Sequence, residues 1–411
     1  MFCNPVRCSL VLLLSALILS TASAQDDVVT LTFWDNQQSE SGLSEFQQTA
    51  IDEFMAENPN IQIEVVTVPY PEYQQRLTLA VQGGNAPDIS TVDQIWNSAF
   101  AVAGAIVPLD EFAAESDLVS EDAYFPGAWE SATWDEQLWG VPFNVDVWQF
   151  TYYNQDLLDA AGIDPASLET WEGLSAAGEA LTDRSAGEFG IGLFSHKGED
   201  TVVVMNSFIY SNGGSILHSD GTCALTEPEA TTALEYLQSL QDYAPEGILN
   251  ASSGDMRELF LNGSLATEWW PALEQPTLQD SDINWGFVNG TAPEGMTPVG
   301  TYGGWNLVIY DQSENKEEAW QFIEFLTRPD VNGRVVDLIP ANIEAADAFV
   351  SENRVGAEDI LTHLNNARPR PLSPNYLQIA DIQMDMMQAI FSGTAVADAT
   401  TAACQDINAL R

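Results

Sequence analysis

The chain is short of positive charge. Its 411 residues carry 12 Lys and Arg against 61 Asp and Glu, a formal net charge of −49, and Lys197 and Lys316 are its only lysines. A nucleic-acid footprint needs cations clustered on one face, so nucleic acid is excluded as a partner. Histidine and cysteine are scarce as well. His196, His218 and His363 lie far apart, and Cys3, Cys8, Cys223 and Cys404 lack metal or redox spacing, so neither a metal site nor a cofactor is expected. There is no phosphate-binding loop, no G-x-S-x-G elbow and no H-E-x-x-H, and Gly190-Ile191-Gly192 lacks the third glycine of a dinucleotide fingerprint. Beyond residue 24 no apolar run approaches the roughly 18 residues of a membrane span. With so many carboxylates, a glycosidase pair stays open, because only separation in space would reveal one.

What is present is an ordinary core. Hydrophobic residues make up 45% and aromatics 10% of the chain, so the acidity does not mean disorder. A carboxylate-rich, lysine-poor surface stays hydrated where salt screens its self-repulsion, which points to a high-salt habitat.

The first 24 residues hold one basic residue, Arg7, the apolar run Leu10 to Leu19, and Thr21-Ala22-Ser23-Ala24. That is the layout of a cleaved secretory signal peptide, and it predicts a periplasmic or extracellular protein. Cys3 and Cys8 leave with it. Cys223 and Cys404 remain as an even pair in an oxidising compartment, where a disulfide and two buried thiols are both open.

The next hundred residues alternate between strand and helix patterns. Val28–Trp34, Ile61–Val68 and Asp88–Val92 read as strands. Between and after them run helices over Glu45–Glu57, with Phe46, Ala50, Phe54 and Met55 on one face, Glu72–Gln82 and Ile95–Ala103. Successive βα units imply a doubly wound parallel sheet, whose ligands sit beyond the carboxyl ends of the strands, here Trp34-Asp35-Asn36 and Asp93. From residue 140 the texture changes. An extended Pro-containing stretch leads into a strand over Val147–Tyr153, a helix over Asn154–Ala161 capped by Gly162, and a helix from Trp171 with Thr170 as N-cap. A Gly/Pro-rich stretch over 286–304 suits a second crossing, and Lys316–Leu326 reads as an amphipathic helix. Two α/β lobes joined by more than one crossing are the economical architecture.

Twelve tryptophans are present, and several adjoin carboxylates or amides at strand ends: Trp34-Asp35-Asn36, Asp93 with Trp96, Asn144 and Asp146 before Trp148, Glu268-Trp269-Trp270, and Gly303-Gly304-Trp305. Sugar rings pack their C–H faces on aromatic rings, and their hydroxyls take paired donors and acceptors from Asp, Asn and Arg. Any single cluster could equally be a core tryptophan with an incidental polar neighbour. Trp171 and Trp320 read as core, and Trp129 and Trp134 as structural.

Along its length the chain also resembles a family, the extracellular substrate-binding proteins of ABC sugar importers, of the maltose/trehalose-binding type. The pieces are Leu31-Thr32-Phe33-Trp34, Asn85-Ala86-Pro87-Asp88-Ile89 with Asp93 and Trp96, Gly140-Val141-Pro142-Phe143, Tyr152-Tyr153-Asn154-Gln155-Asp156-Leu157, Thr170-Trp171-Glu172, Phe260 with Asn262-Gly263, Gly303-Gly304-Trp305, Glu318-Ala319-Trp320 and Ala367-Arg368-Pro369. The resemblance implies the two-lobed periplasmic-binding-protein fold, each lobe a doubly wound sheet flanked by helices, joined by hinge crossings. It implies a first lobe of residues 25–142 plus 291–339 and a second of 143–290 plus 340–411. It further implies sugar contacts at Asp35, Asn36, Glu40, Asp93, Trp96, Asn144, Asp146, Trp270, Gly303, Gly304, Trp305 and Arg368, with Arg76 a weaker candidate and Arg370 a substitute for Arg368 if the loop is shifted by two. Where relatives carry an aromatic after the Trp-Pro pair, this chain has Ala272. The implied role is a monomeric binding protein without enzymatic activity that delivers a disaccharide of the trehalose, maltose or sucrose class to membrane permease subunits. The alternatives are a secreted glycoside hydrolase and a periplasmic sugar sensor acting on a receptor.

Overall fold

The computed structural model describes residues 28–36, 44–336 and 338–411; the expected signal peptide, Cys3, Cys8 and Glu40 lie outside them. Twelve strands follow in chain order: β1 (Val29–Asp35), β2 (Ile61–Thr67), β3 (Ile89–Asp93), β4 (Thr133–Trp134), β5 (Gln137–Leu138), β6 (Val141–Trp148), β7 (Phe150–Asn154), β8 (Phe189–Ile191), β9 (Leu265–Trp270), β10 (Trp285–Val288), β11 (Thr301–Ile309) and β12 (Ile339–Pro340). They form two main sheets, β12-β6-β11-β3-β1-β2 in the first lobe and β10-β7-β9-β8 in the second, with β4-β5 as a separate hairpin.

The two-lobed α/β architecture is the one expected, and the sheets are mixed. β1 pairs in parallel with β2 and β3, whereas β11 runs antiparallel to both β3 and β6. Residues of β3 are buried throughout, as a central strand covered on both faces requires. Leu31 and Phe33 of β1 point into the core, and the same alternation places Asp35 inward at the strand's end. In the helix Ser44–Glu57 the buried stripe is Gln47, Ala50, Ile51 and Phe54, with Phe46 exposed; the stripe is rotated by one residue from the expected face, which carries Gln47 under the sheet. Thr170 caps the helix Trp171–Leu181 by accepting the Gly173 N–H, and Gly162 closes the helix Gln155–Ala161 at φ +65°, both as the sequence predicts.

The crossings correct two lobe boundaries. The 143–148 segment is part of β6 in the first sheet, so the chain leaves that lobe at Gln149 rather than at Phe143. The helices Ile343–Asn353 and Ala357–Asn366 pack on the helix Pro329–Val335, on β6 and on the helix Pro126–Ala132, so residues 343–366 stay with the first lobe. The chain crosses again only at 367–375, ahead of the helices Tyr376–Phe391 and Val396–Ala409, which pack on second-lobe helices. The border near 340 is the one the resemblance implies, and a helix's amphipathic pattern does not say which lobe it will cover.

The crossings lie side by side. Gln149 is buried at φ +89°, and a Cβ on Gly290 (φ +93°) would come within 2.6 Å of the Gln149 carbonyl, so a glycine is required there. The Arg368 N–H donates to the Gly300 carbonyl and the Tyr302 N–H to the Arg368 carbonyl, stitching the third crossing to β11. His363 is wedged against this seam, with its ring 4.8 Å from Phe150, and burial lowers its pKa to about 4. Cys223 and Cys404 are joined by a disulfide that ties the last helix to the second lobe.

Candidate functional site

The first-lobe half of the site forms at the carboxyl ends of β1 and β3. Asp35 accepts hydrogen bonds from Gln47 Nε2 (2.9 Å) and Thr91 Oγ1 (3.1 Å), and Thr91 Oγ1 also reaches Asn36 Oδ1 at 3.4 Å. The rotated stripe of the first helix thus has a use: Gln47 donates to Oδ2 of the buried Asp35 carboxylate, while Thr91 donates to Oδ1. Asp93 ends β3, and its Oδ1 accepts the Ile95 N–H at 3.3 Å, capping the short helix that carries Trp96. In the antiparallel β3–β11 pair, Trp305 stands directly opposite Asp93.

The Gly-Gly-Trp segment has a backbone reason. Gly304 sits at φ +140°, and a Cβ there would lie 2.2 Å from the Asn144 carbonyl oxygen. The β6–β11 register then shifts between Trp305 and Asn306, an irregularity that re-aims the tryptophan. Trp305 meets Trp96 edge-to-face at 5.7 Å. Tyr70 stacks on Trp96 at 6.1 Å, and Tyr73, whose hydroxyl donates to the Trp34 carbonyl at 2.7 Å, closes the cluster.

The other half of the site centres on Arg370, on the third crossing. Its guanidinium is buried and bonds Asp93 Oδ1 at 2.7 Å through Nη2 and Glu199 Oε2 at 3.2 Å through Nη1, while the Tyr376 hydroxyl donates to Glu199 Oε2 at 2.7 Å. Burial disfavours the cation, yet the neighbouring Asp93, Tyr376 and Glu199 outweigh it and hold the Arg370 pKa above its ordinary value. Burial pushes the Glu199 carboxyl up, and Arg370 pulls it partly back. One side chain therefore grips a carboxylate on each lobe.

Several expected contacts belong elsewhere. Arg76 is exposed and pairs with Glu72 one turn back on its own helix. Asp146 is buried and accepts backbone N–H groups from Val147, Ala272 and Leu273, latching β6 to the turn after β9; burial raises its pKa to about 6. Trp270 is 1% exposed and packs edge-on to Phe260 at 5.2 Å, so it is core of the second lobe. Asn144 is fully buried on β6, opposite Trp305. Arg368 lies over the Tyr210 ring at 4.3 Å and donates to the Gly214 carbonyl and Ser215 Oγ, facing a cleft of ≈ 730 Å³ instead of Asp93. The arginine on Asp93 is Arg370, two residues on. Residue spacing in Arg368-Pro369-Arg370-Pro371 could not choose between them, and Glu199, Tyr376, Tyr70 and Tyr73 carried no local signal at all. Among the described residues no cluster of His, Cys, Asp and Glu is arranged to hold a metal ion.

A putative binding protein of Brucella abortus is 28% identical over 355 residues, 84% of each chain. A solute-binding protein of an ABC transporter from Thermotoga lettingae, solved with alpha-D-tagatose, superposes with a TM-score of 0.77 at 26% identity, covering 93% of this chain and 99% of that one. The sugar-binding protein MalE from Xanthomonas citri shares the fold with a TM-score of 0.82 at 22% identity, covering 93% and 97%. Residues 36–333 match the family described as bacterial extracellular solute-binding protein, and the chain belongs to that family.

Proposed function

We propose that this protein is the exported sugar receptor of an ABC importer, a monomer that takes up a neutral disaccharide of the trehalose, maltose or sucrose class between its lobes and presents it to permease subunits without altering it. The observation that carries this reading is Asp93 set opposite Trp305 with Arg370 reaching it from the third crossing. A tryptophan beside a carboxylate and a guanidinium offers a stacking surface and bidentate partners for adjacent hydroxyls. The tagatose-bound Thermotoga protein supports a sugar as the ligand class.

The working cycle follows from the crossings. The lobes rotate about the seam at Gln149, Gly290 and 367–375, and a sugar favours closure only through contacts it makes in the closed form. Arg370 and Asp93 satisfy each other in this structure, and sugar hydroxyls would compete for both groups. The test is thermal unfolding of the exported chain in high salt against mono- and disaccharides, with each sugar recovered afterwards. A selective rise in midpoint with intact sugar is expected from mass action. No rise with any sugar overturns the reading, and a cleaved sugar makes the protein a hydrolase.

A further inference from the structure

The lobes are closed on each other in this structure: Val202 and Ala380 of the second lobe share a buried cluster with Tyr73, Trp96 and Trp305 of the first. A separate set of contacts joins the lobes where β6 meets the turn after β9. Asp146 of β6 accepts the Ala272 N–H at 3.2 Å through Oδ1 and the Leu273 N–H at 2.9 Å through Oδ2. Beside it the Gln275 amide donates to the Val355 carbonyl at 3.1 Å and accepts the Val355 N–H at 2.8 Å, again from one lobe to the other. Asn289 Nδ2 donates to Asp359 Oδ1 at 3.3 Å further along the same border. Of the two carboxyls in this set Asp359 is exposed and Asp146 is buried.

The arrangement of the lobes sets the medium of this carboxyl. Closed, burial pushes it up to about 6, against the pull of the Val147, Ala272 and Leu273 N–H groups and of Arg354. The groups that face it are Arg354, from the end of the helix Ile343–Asn353, and Tyr152 on β7, whose hydroxyl donates to the Pro271 carbonyl. Glu274 follows the turn and is paired with Arg257 at 2.9 Å. Across the ladder β11 sets Gly303 opposite Asp146, with no charge of its own. Opening the lobes draws the turn off β6 and wets the carboxyl, whose ordinary value is about 3.9. The closed form therefore holds the proton more tightly than the open form. Closure gains nothing from it above about 6, gains as pH falls below that, and has the full gain below about 3.9. At pH 5 the closed-to-open ratio gains about tenfold.

We propose that Asp146 is a positioning residue for lobe closure, a proton-taking contact between β6 and the turn after β9 that makes the protein close more readily, and hold its sugar more tightly, in mild acid. The affinity part rests on the sugar-binding reading above; the closure part does not. The experiment compares wild type, Asp146→Asn and Arg354→Gln as exported chains in high salt at pH 7.5 and pH 5, each checked for folding by its unfolding midpoint. Calorimetric titration with the sugar that raises the midpoint is expected to show wild type binding about tenfold tighter at pH 5, and Asp146→Asn, with no proton to take there, changing at least fivefold less. Arg354→Gln removes the cation that pulls the carboxyl down, so its pH profile is expected to move to higher pH; this variant keeps the test open if Asp146→Asn does not fold. Small-angle X-ray scattering of the sugar-free chain reads closure itself: wild type is expected to become more compact at pH 5, and Asp146→Asn less so. All other carboxyls are shared by wild type and variant, so the difference between the proteins is the readout. Parallel pH profiles in wild type and both variants overturn the proposal and leave the sugar reading standing. Absence of binding by every sugar overturns the sugar reading, and the scattering then decides the closure part alone.

Discussion

Arg370 and Asp93 belong to different parts of the chain, separated by 277 residues, and meet at 2.7 Å in the buried seam between the lobes. The same guanidinium holds Glu199 of the second lobe, so the contact that joins the lobes is made by groups suited to sugar hydroxyls. Removing one partner of a buried pair leaves an unpaired charge, costing about 3–5 kcal/mol. Arg370→Met is therefore expected to lower the unfolding midpoint of the sugar-free protein and to weaken sugar binding together. A variant as stable as the wild type would mean that Asp93 and Glu199 are not held by Arg370 in solution.

Trp305→Ala removes the ring opposite Asp93 and is expected to weaken sugar binding by about 1–3 kcal/mol, read by titration. An unchanged Kd would return Trp305 to the core.

The two glycines before Trp305 separate backbone need from space. Gly304→Ala forces a Cβ to within 2.2 Å of the Asn144 carbonyl at φ +140°, whereas a Cβ on Gly303 meets nothing within 4 Å. Gly304→Ala is expected to cost about 1–3 kcal/mol or more, and Gly303→Ala to stay within about 0.5 kcal/mol, by denaturant unfolding.

How much of this was legible in sequence depends on which residues are local to one another. The ends of β1 and β3, with Asp35, Asn36, Asp93 and Trp96, follow from strand periodicity and lie together as expected. The partners that complete the site, Arg370, Glu199 and Tyr376, come from distant segments whose side chains converge only through the crossings. Trp270 misled because a Trp-Pro pair looks the same whether its ring faces a ligand or, as here, Phe260. Gln47 was invisible because a polar residue on a helix's buried face violates the pattern by which helices are read.

His363 makes the seam sensitive to acid. Its pKa falls from about 6.5 unfolded to about 4 folded because burial opposes the charged ring. The unfolded chain then binds the extra proton between these values, so this contribution is full above pH 6.5 and is lost as pH falls toward 4. It amounts to roughly 3 kcal/mol. Asp146, raised to about 6, acts with the opposite sign, so the readout is the difference between proteins. His363→Gln is expected to lose less stability than the wild type between pH 7 and 4.5, and equal losses would mean that burial does not lower the His363 pKa.

The disulfide between Cys223 and Cys404 fastens the last helix, and replacing both cysteines by serine is expected to cost about 2–5 kcal/mol in denaturant unfolding. An unchanged midpoint would show that packing of that helix suffices without it.

The most direct test of the account is a pair of calorimetric titrations, wild type and Asp93→Asn, with the sugar that raises the unfolding midpoint. A hydrogen bond to a charged group contributes about 1.5–3 kcal/mol, so the substitution is expected to weaken binding by at least tenfold while the chain stays folded. Equal affinity in the two proteins would put the sugar somewhere other than the Asp93–Trp305 site and contradict the account.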